Sequence, residues 1–210
     1  MLRNMTDLEQ ITALLLVEAG ECARWEYSAS LHCPKGPLLE FSTEKLENRA
    51  NPSSALLDSI SNRPNFVLHH NHLSGESLSF ADWRGASVYF NEIYAHCNDG
   101  TSYYGRVLNK EKVLSVIQNK KDFIEMNAEN HLFNYTNNIQ LDAFFRKEVI
   151  CRALKIRGYV EYGYLWGAKQ VNHQAILTMN IPGIQSIGQL GTAYERWIQS
   201  AALDLSKDNW

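Results

Sequence analysis

The segment His70-Asn71-His72, followed at short distance by Ser79 and Asp82, concentrates residue types that hold metal ions. On a strand, residues two apart point to one face, so His70 and His72 can present two imidazoles to a common point. Asp82, in the first turn of a following helix, can fold back as a third ligand. Two neutral nitrogens and one carboxylate suit Zn²⁺, and three protein ligands leave a fourth position for water, as a catalytic rather than a structural site requires. Zinc lowers the pKa of such a water to about 7, which makes hydroxide available at neutral pH. A single histidine is more often a core or surface residue than a ligand, and His32, His96, His131 and His173 are read that way. His69 alternates to the other face of the strand and is not expected to be a ligand. The ordered set of His70, His72, Ser79 and Asp82 is what favours a metal site.

The elements that must position these residues can be read around them. From Asp7 to about Arg24, the spacing of Leu8, Ile11, Leu15 and Ala19 predicts an amphipathic helix capped by Thr6 or Asp7. Glu26 to Cys33, the turn Pro34-Lys35-Gly36-Pro37, and Leu38 to Thr43 predict a hairpin. Ser53 or Ser54 can cap a short helix through Ser61, stopped by Arg63-Pro64. The apolar run Asn65 to Leu68 predicts a buried strand delivering His69, His70 and His72. Ser79 is placed to cap a helix running through Asp82, Val88 and Ile93 to just before Asn98-Asp99-Gly100, and Tyr103 to Val107 predicts another strand. The order is mixed α/β.

From about Lys120 the character changes. Asn127 to Asn138 is polar and Asn-rich, and amphipathic helices are predicted near Ile139 to Ile156 and Leu190 to Leu205. The simplest division is a catalytic-looking α/β part, residues 1–118, and a mainly helical C-terminal extension, residues 119–210. Tyr159, Tyr162, Tyr164, Trp166 and Trp197 crowd that extension; core packing is the default reading, and a partner- or substrate-binding surface is the alternative.

Composition narrows the function classes. The 210 residues include 20 Lys+Arg against 23 Asp+Glu, a net charge of −3, and are 45% hydrophobic, which excludes a disordered chain. A sequence pI near 6.2 gives no net attraction to nucleic acid. The densest basic run, Arg146, Lys147, Arg152, Lys155 and Arg157, reads as the solvated face of a helix. No apolar run approaches the length of a membrane span, and no signal-peptide pattern opens the sequence. The four cysteines form no CxxC pair, so free thiols in a reducing, cytoplasmic compartment are expected.

The pattern His-x-His, a short loop, then Ser-x-x-Asp resembles the JAMM (JAB/MPN) zinc metallopeptidase family, whose members also carry an upstream glutamate. The resemblance spans roughly Leu8 to Val107 and includes the order of elements, and His-Asn-His followed by Ser-Gly looks most like the RadC-type and phage- or toxin-associated branches. It implies a JAMM-like mixed sheet flanked by helices, with His70, His72 and Asp82 on zinc and Ser79 supporting the oxyanion. Among Glu18, Glu21, Glu26, Glu40, Glu44 and Glu47, Glu26 best matches the family position, where the first helix gives way to the hairpin, and would be the general acid/base. Leu73 stands where the family has proline, and the loop before Ser79 is one residue shorter, which marks a divergent branch. The implied activity is hydrolysis of a peptide or isopeptide bond, including that of a ubiquitin-like protein, with a protein or peptide as partner. An effector or mobile-element origin is compatible with the motif. Two alternatives are a non-catalytic JAMM-like interaction module and a nuclease suggested by the letters His-Asn-His; nucleases of that name spread those residues over a longer ββα element.

Overall fold

The structure, a computed structural model, describes residues 3–61, 65–172, 174–179 and 181–210, without the side chain of residue 175. The stop at Arg63-Pro64 and the reading of His173 lie outside the described residues. Helix α1 (Asp7–Ala23) begins with a reciprocal capping box between Thr6 and Glu9 and ends at Arg24, whose φ is 59°. Such a box contributes about 1 kcal/mol. The Leu8, Ile11 and Leu15 stripe lies outward, at 39%, 55% and 56% exposure, and the helix instead buries Glu9, Thr12, Ala13, Leu16 and Gly20. Both stripes have helical period. The buried one contains a glutamate and a glycine, so apolar spacing selects the wrong phase.

Strands β1 (Ser28–His32) and β2 (Leu38–Ser42) form the expected hairpin, and Ser53 caps α2 (Ser54–Ile60). Strand β3 (Phe66–Asn71) is buried along its whole length. Helix α3 (Phe80–Val88) starts at Ser79 but stops well before Ile93, which belongs to β4 (Glu92–His96), followed by β5 (Ser102–Val107). The segment from Ser79 past Ile93 is thus a helix followed by a strand, not the single helix expected. Every residue of β4 is buried, and a continuously buried strand has no alternation to distinguish it from a buried helix segment. Beyond it come α4 (Lys110–Asn119), α5 (Lys121–Thr136), α6 (Ile139–Ile156), β6 (Val160–Leu165), α7 (Gln174–Met179) and α8 (Ile187–Leu205). The Asn-rich stretch forms the end of α5, a left-handed Asn137 and the Asn138 cap of α6.

The molecule is α/β, with a six-stranded mixed sheet in the order β2-β1-β3-β4-β5-β6, parallel only between β3 and β4. One face packs against α1 through Leu16, Ala29, Leu31, Val67, Tyr94 and Tyr104. A larger cluster holds Leu68, Leu78, Trp83, Ile93 and Tyr103 together with Phe145, Cys151, Tyr162, Ile187 and Ile198, so residues on both sides of Gln118 share it. Tyr162 is 2% exposed, the core reading of the aromatic run, whereas Trp197 is 38% exposed. Most of the basic run is partnered: Arg146 pairs with Glu129 at 2.6 Å, Lys147 with Glu76 at 2.8 Å, and Arg152 with Glu148 and Glu195 at 2.7 and 2.6 Å, while Lys155 is exposed. Arg152 is only 3% exposed, so the expected solvated face is in part interior.

Candidate metal centre

Strand alternation sorts the histidines. His70 lies on the face shared with Leu68 and the larger cluster, while His69 lies beneath α1, where Nδ1 meets His96 Nε2 at 3.0 Å and Nε2 meets Glu9 Oε1 at 3.4 Å. His69 is therefore engaged away from the His70 face. His72 follows the end of β3, with its N–H donated to the His96 carbonyl at 2.9 Å, so the ladder with β4 carries one residue further and keeps both rings on one side. His131 pairs with Asp208, and His32 packs edge-on to Phe66, both remote from this cluster in bonding.

Ser79 and Asp82 owe their spacing to helix capping. The Ser79 hydroxyl accepts from the Asp82 N–H at 3.3 Å, while Asp82 Oδ2 accepts from the Ser79 N–H at 2.6 Å and its hydroxyl at 2.7 Å. This capping box fixes the carboxylate at the start of α3 and leaves Oδ1 at 3.3 Å from His70 Nε2. His72 Nε2 is 3.8 Å from Oδ2 and 2.8 Å from His70 Nε2. His72 Nδ1 lies 2.7 Å from the Glu76 carbonyl, which assigns its proton to that nitrogen and leaves the Nε2 lone pair facing the cluster.

His70, His72 and Asp82 each offer a ligand atom, all within 4.8 Å of one another, and form the group among the described residues that could hold a metal ion. The donor set fits a cation. Two imidazole nitrogens at 2.8 Å oppose each other unless a proton or a metal lies between them, and the carboxylate oxygen beside them adds negative charge. Burial and the neighbouring His70 push the His72 pKa down to about 4, so this imidazole is neutral, the form that binds metal. Burial disfavours charge on Asp82 and His70 as well, but their mutual attraction outweighs it, holding the carboxyl well below its usual range and the imidazole above it.

Glu26 lies at the junction of α1 and β1, 6% exposed. Its N–H donates to the Leu46 carbonyl at 2.7 Å, and its carbonyl accepts from Thr43 Oγ1 at 2.8 Å. Burial pushes its carboxyl up to about 7; the positive His70 opposes that shift, Asp82 adds to it, and the Leu73 N–H bonds the carboxylate. The glutamate is thus in the electrostatic field of His70 and Asp82. Glu40, by contrast, accepts from the Ser53 N–H at 2.8 Å, and Glu44 is bonded to Arg49 at 3.0 Å. Two residues with no assigned role in the sequence analysis hold segments beside the cluster: Asn71, between the histidines, accepts from the Tyr27 N–H, and Lys147 of α6 reaches Glu76 in the loop after His72. Neither has a spacing that would reveal it. No protein-family model, curated protein or solved structure matches this chain.

Proposed function

We propose that this protein is a zinc-dependent hydrolase of a peptide or isopeptide bond. The observation that supports the reading is the convergence of the His70, His72 and Asp82 ligand atoms within 4.8 Å, in the field of a buried glutamate. Two nitrogens and an oxygen from protein are the donor count of a catalytic zinc site. The resemblance to JAMM metallopeptidases supplies the reaction class, with an isopeptide to a ubiquitin-like tail as one member of the substrate class. Zinc, when bound, would supply an acidified water and a Lewis acid for the scissile carbonyl.

Glu26 accepts the proton of the attacking water. With a pKa of about 7 it is poised to return that proton near neutral pH. The proton passes to the leaving nitrogen as the C–N bond breaks, so an acid and an amine are released. Asp82 is oriented by Ser79; the Ser79 hydroxyl must turn from Asp82 Oδ2 to serve the substrate oxyanion. Four free thiols among the described residues fit a reducing, cytoplasmic setting. Among the described residues no helix is long and apolar enough to cross a membrane.

The test is cleavage of a panel of peptides and lysine-isopeptide-linked ubiquitin-like fusions by zinc-loaded protein and by Glu26→Gln. The expected result is cleavage by the parent and a loss of about 100-fold or more in the variant, with its zinc retained. Equal rates in the two proteins would remove Glu26 from the chemistry.

A further inference from the structure

We propose that Asn71, the residue between the two histidines, is a positioning residue that sets the Glu26 carboxylate against the metal centre. This rests on the reading of Glu26 as the general base. Alternation along β3 turns Asn71 away from His70, to the face covered by α1, where it is 2% exposed. There it binds the peptides on both sides of Glu26. Asn71 Oδ1 accepts from the Tyr27 N–H at 2.6 Å, and Asn71 Nδ2 donates to the Trp25 carbonyl at 3.3 Å. The Asn71 backbone N–H donates to the Tyr27 carbonyl at 3.2 Å. Only one amide orientation satisfies an N–H with oxygen and a carbonyl with nitrogen, so the side chain reads the Trp25-Glu26-Tyr27 backbone in a single register. One strand residue thereby links the two metal-binding imidazoles to the segment that carries the base.

Helix α1 leaves room for this clamp at Gly20. A Cβ there would come within 2.1 Å of Asn71 Nδ2, closer than atoms can approach without displacing the amide, and would crowd the Trp25 carbonyl oxygen at 3.3 Å. Gly20 also accepts the Arg24 N–H at 2.9 Å, at the turn leading into the clamped segment. Glycine here is therefore required by close approach. Displacing the amide frees the peptides around Glu26 while leaving His70, His72 and Asp82 in place.

The experiment compares the parent, Asn71→Ala and Gly20→Ala, each also combined with Glu26→Gln. Gly20→Ala moves the amide without altering the strand, so it remains informative where Asn71→Ala fails to fold. Zinc affinity by chelator competition is expected to stay within about threefold, whereas kcat on the substrate cleaved by the parent falls on the order of 10- to 100-fold with KM unchanged. In the Glu26→Gln background neither substitution lowers kcat further. Amide hydrogen exchange at Tyr27 accelerates at least about tenfold, while Leu68 and Ile93 in the sheet keep their protection. Losses that multiply in the double variants, or zinc lost in parallel with activity, would overturn the proposal. Were the parent to cleave nothing, the hydrolase reading would fail, and unchanged Tyr27 exchange would separately show that Asn71 clamps nothing.

Discussion

Withdrawing a carboxyl group from water favours its protonated form, and at Glu26 this outweighs the attraction of His70, so the group titrates at about 7 instead of 4.5. The consequence for stability has a definite sign. In metal-free protein the unfolded chain releases this proton first, so stability falls as pH rises from 4.5 to about 7 and stays lower above that window. Glu26→Gln is expected to stabilise the metal-free protein by up to about 3 kcal/mol near pH 8 and by nothing in acid. Urea unfolding in the presence of a chelator measures it, and equal stability near pH 8 would contradict the burial assigned to Glu26. Ser79→Ala removes both the α3 cap and the support of Asp82. It should cost about 1 kcal/mol and weaken zinc binding 10- to 100-fold, read by competition with a chelating dye; unaltered affinity would show that Asp82 needs no such support. The convergence of His70, His72 and Asp82 was legible at this scale because His-x-His and Ser-x-x-Asp follow from strand alternation and helix capping. Asn71 was not, because its role depends on what lies behind the strand.

At the scale of elements, α1 is fastened to the sheet by a polar chain beneath it. Arg3 donates to Glu9 Oε2 at 3.0 Å, Glu9 meets His69 at 3.4 Å, His69 meets His96 at 3.0 Å, and His96 meets Ser102 at 3.1 Å. Burial raises the Glu9 pKa, but hydrogen bonds from His69, Arg3 and Thr6 outweigh it and hold the carboxyl well below its usual range. The stability this contributes is present above pH 4.5 and is lost as pH falls toward the depressed value. Glu9→Ala should therefore cost about 3 kcal/mol at pH 7, because it leaves His69 without its carboxylate and Arg3 with Glu92 alone, and the loss should shrink in acid. Thermal unfolding across pH checks this; a cost that persists unchanged in strong acid would point to packing alone. This chain also explains why the sheet-facing side of α1 was hard to read. A buried glutamate and a glycine look polar and permissive in a sequence, while the exposed Leu8, Ile11 and Leu15 look like core. The end of α3 was obscured for the opposite reason, since β4 is buried on both faces and shows no period.

At the scale of the whole molecule, the segments flanking Ser79 and Asp82 pack against the C-terminal part of the chain. Cys151 of α6 meets the Leu78 carbonyl at 3.2 Å and the Trp83 indole nitrogen at 3.4 Å, and the Tyr162 hydroxyl meets Ser77 at 2.7 Å. Strand β6 covers β5 along its length. A chain cut after Gln118 exposes the edge of β5 and the faces of Trp83 and Tyr103, so it should show no cooperative thermal transition by circular dichroism. A sharp transition would show that the first part folds alone. The α/β class and the strand carrying the histidines were legible from patterning, whereas the docking of the helical part depends on distant contacts that no local spacing encodes. Zinc content by mass spectrometry tests the central claim most directly, in the protein after reconstitution and dialysis, beside His72→Ala and Asp82→Ala. About one zinc per chain in the parent and almost none in either variant is the expected result; a parent that retains no zinc, or variants that retain it equally, would contradict the assignment of His70, His72 and Asp82 as its ligands.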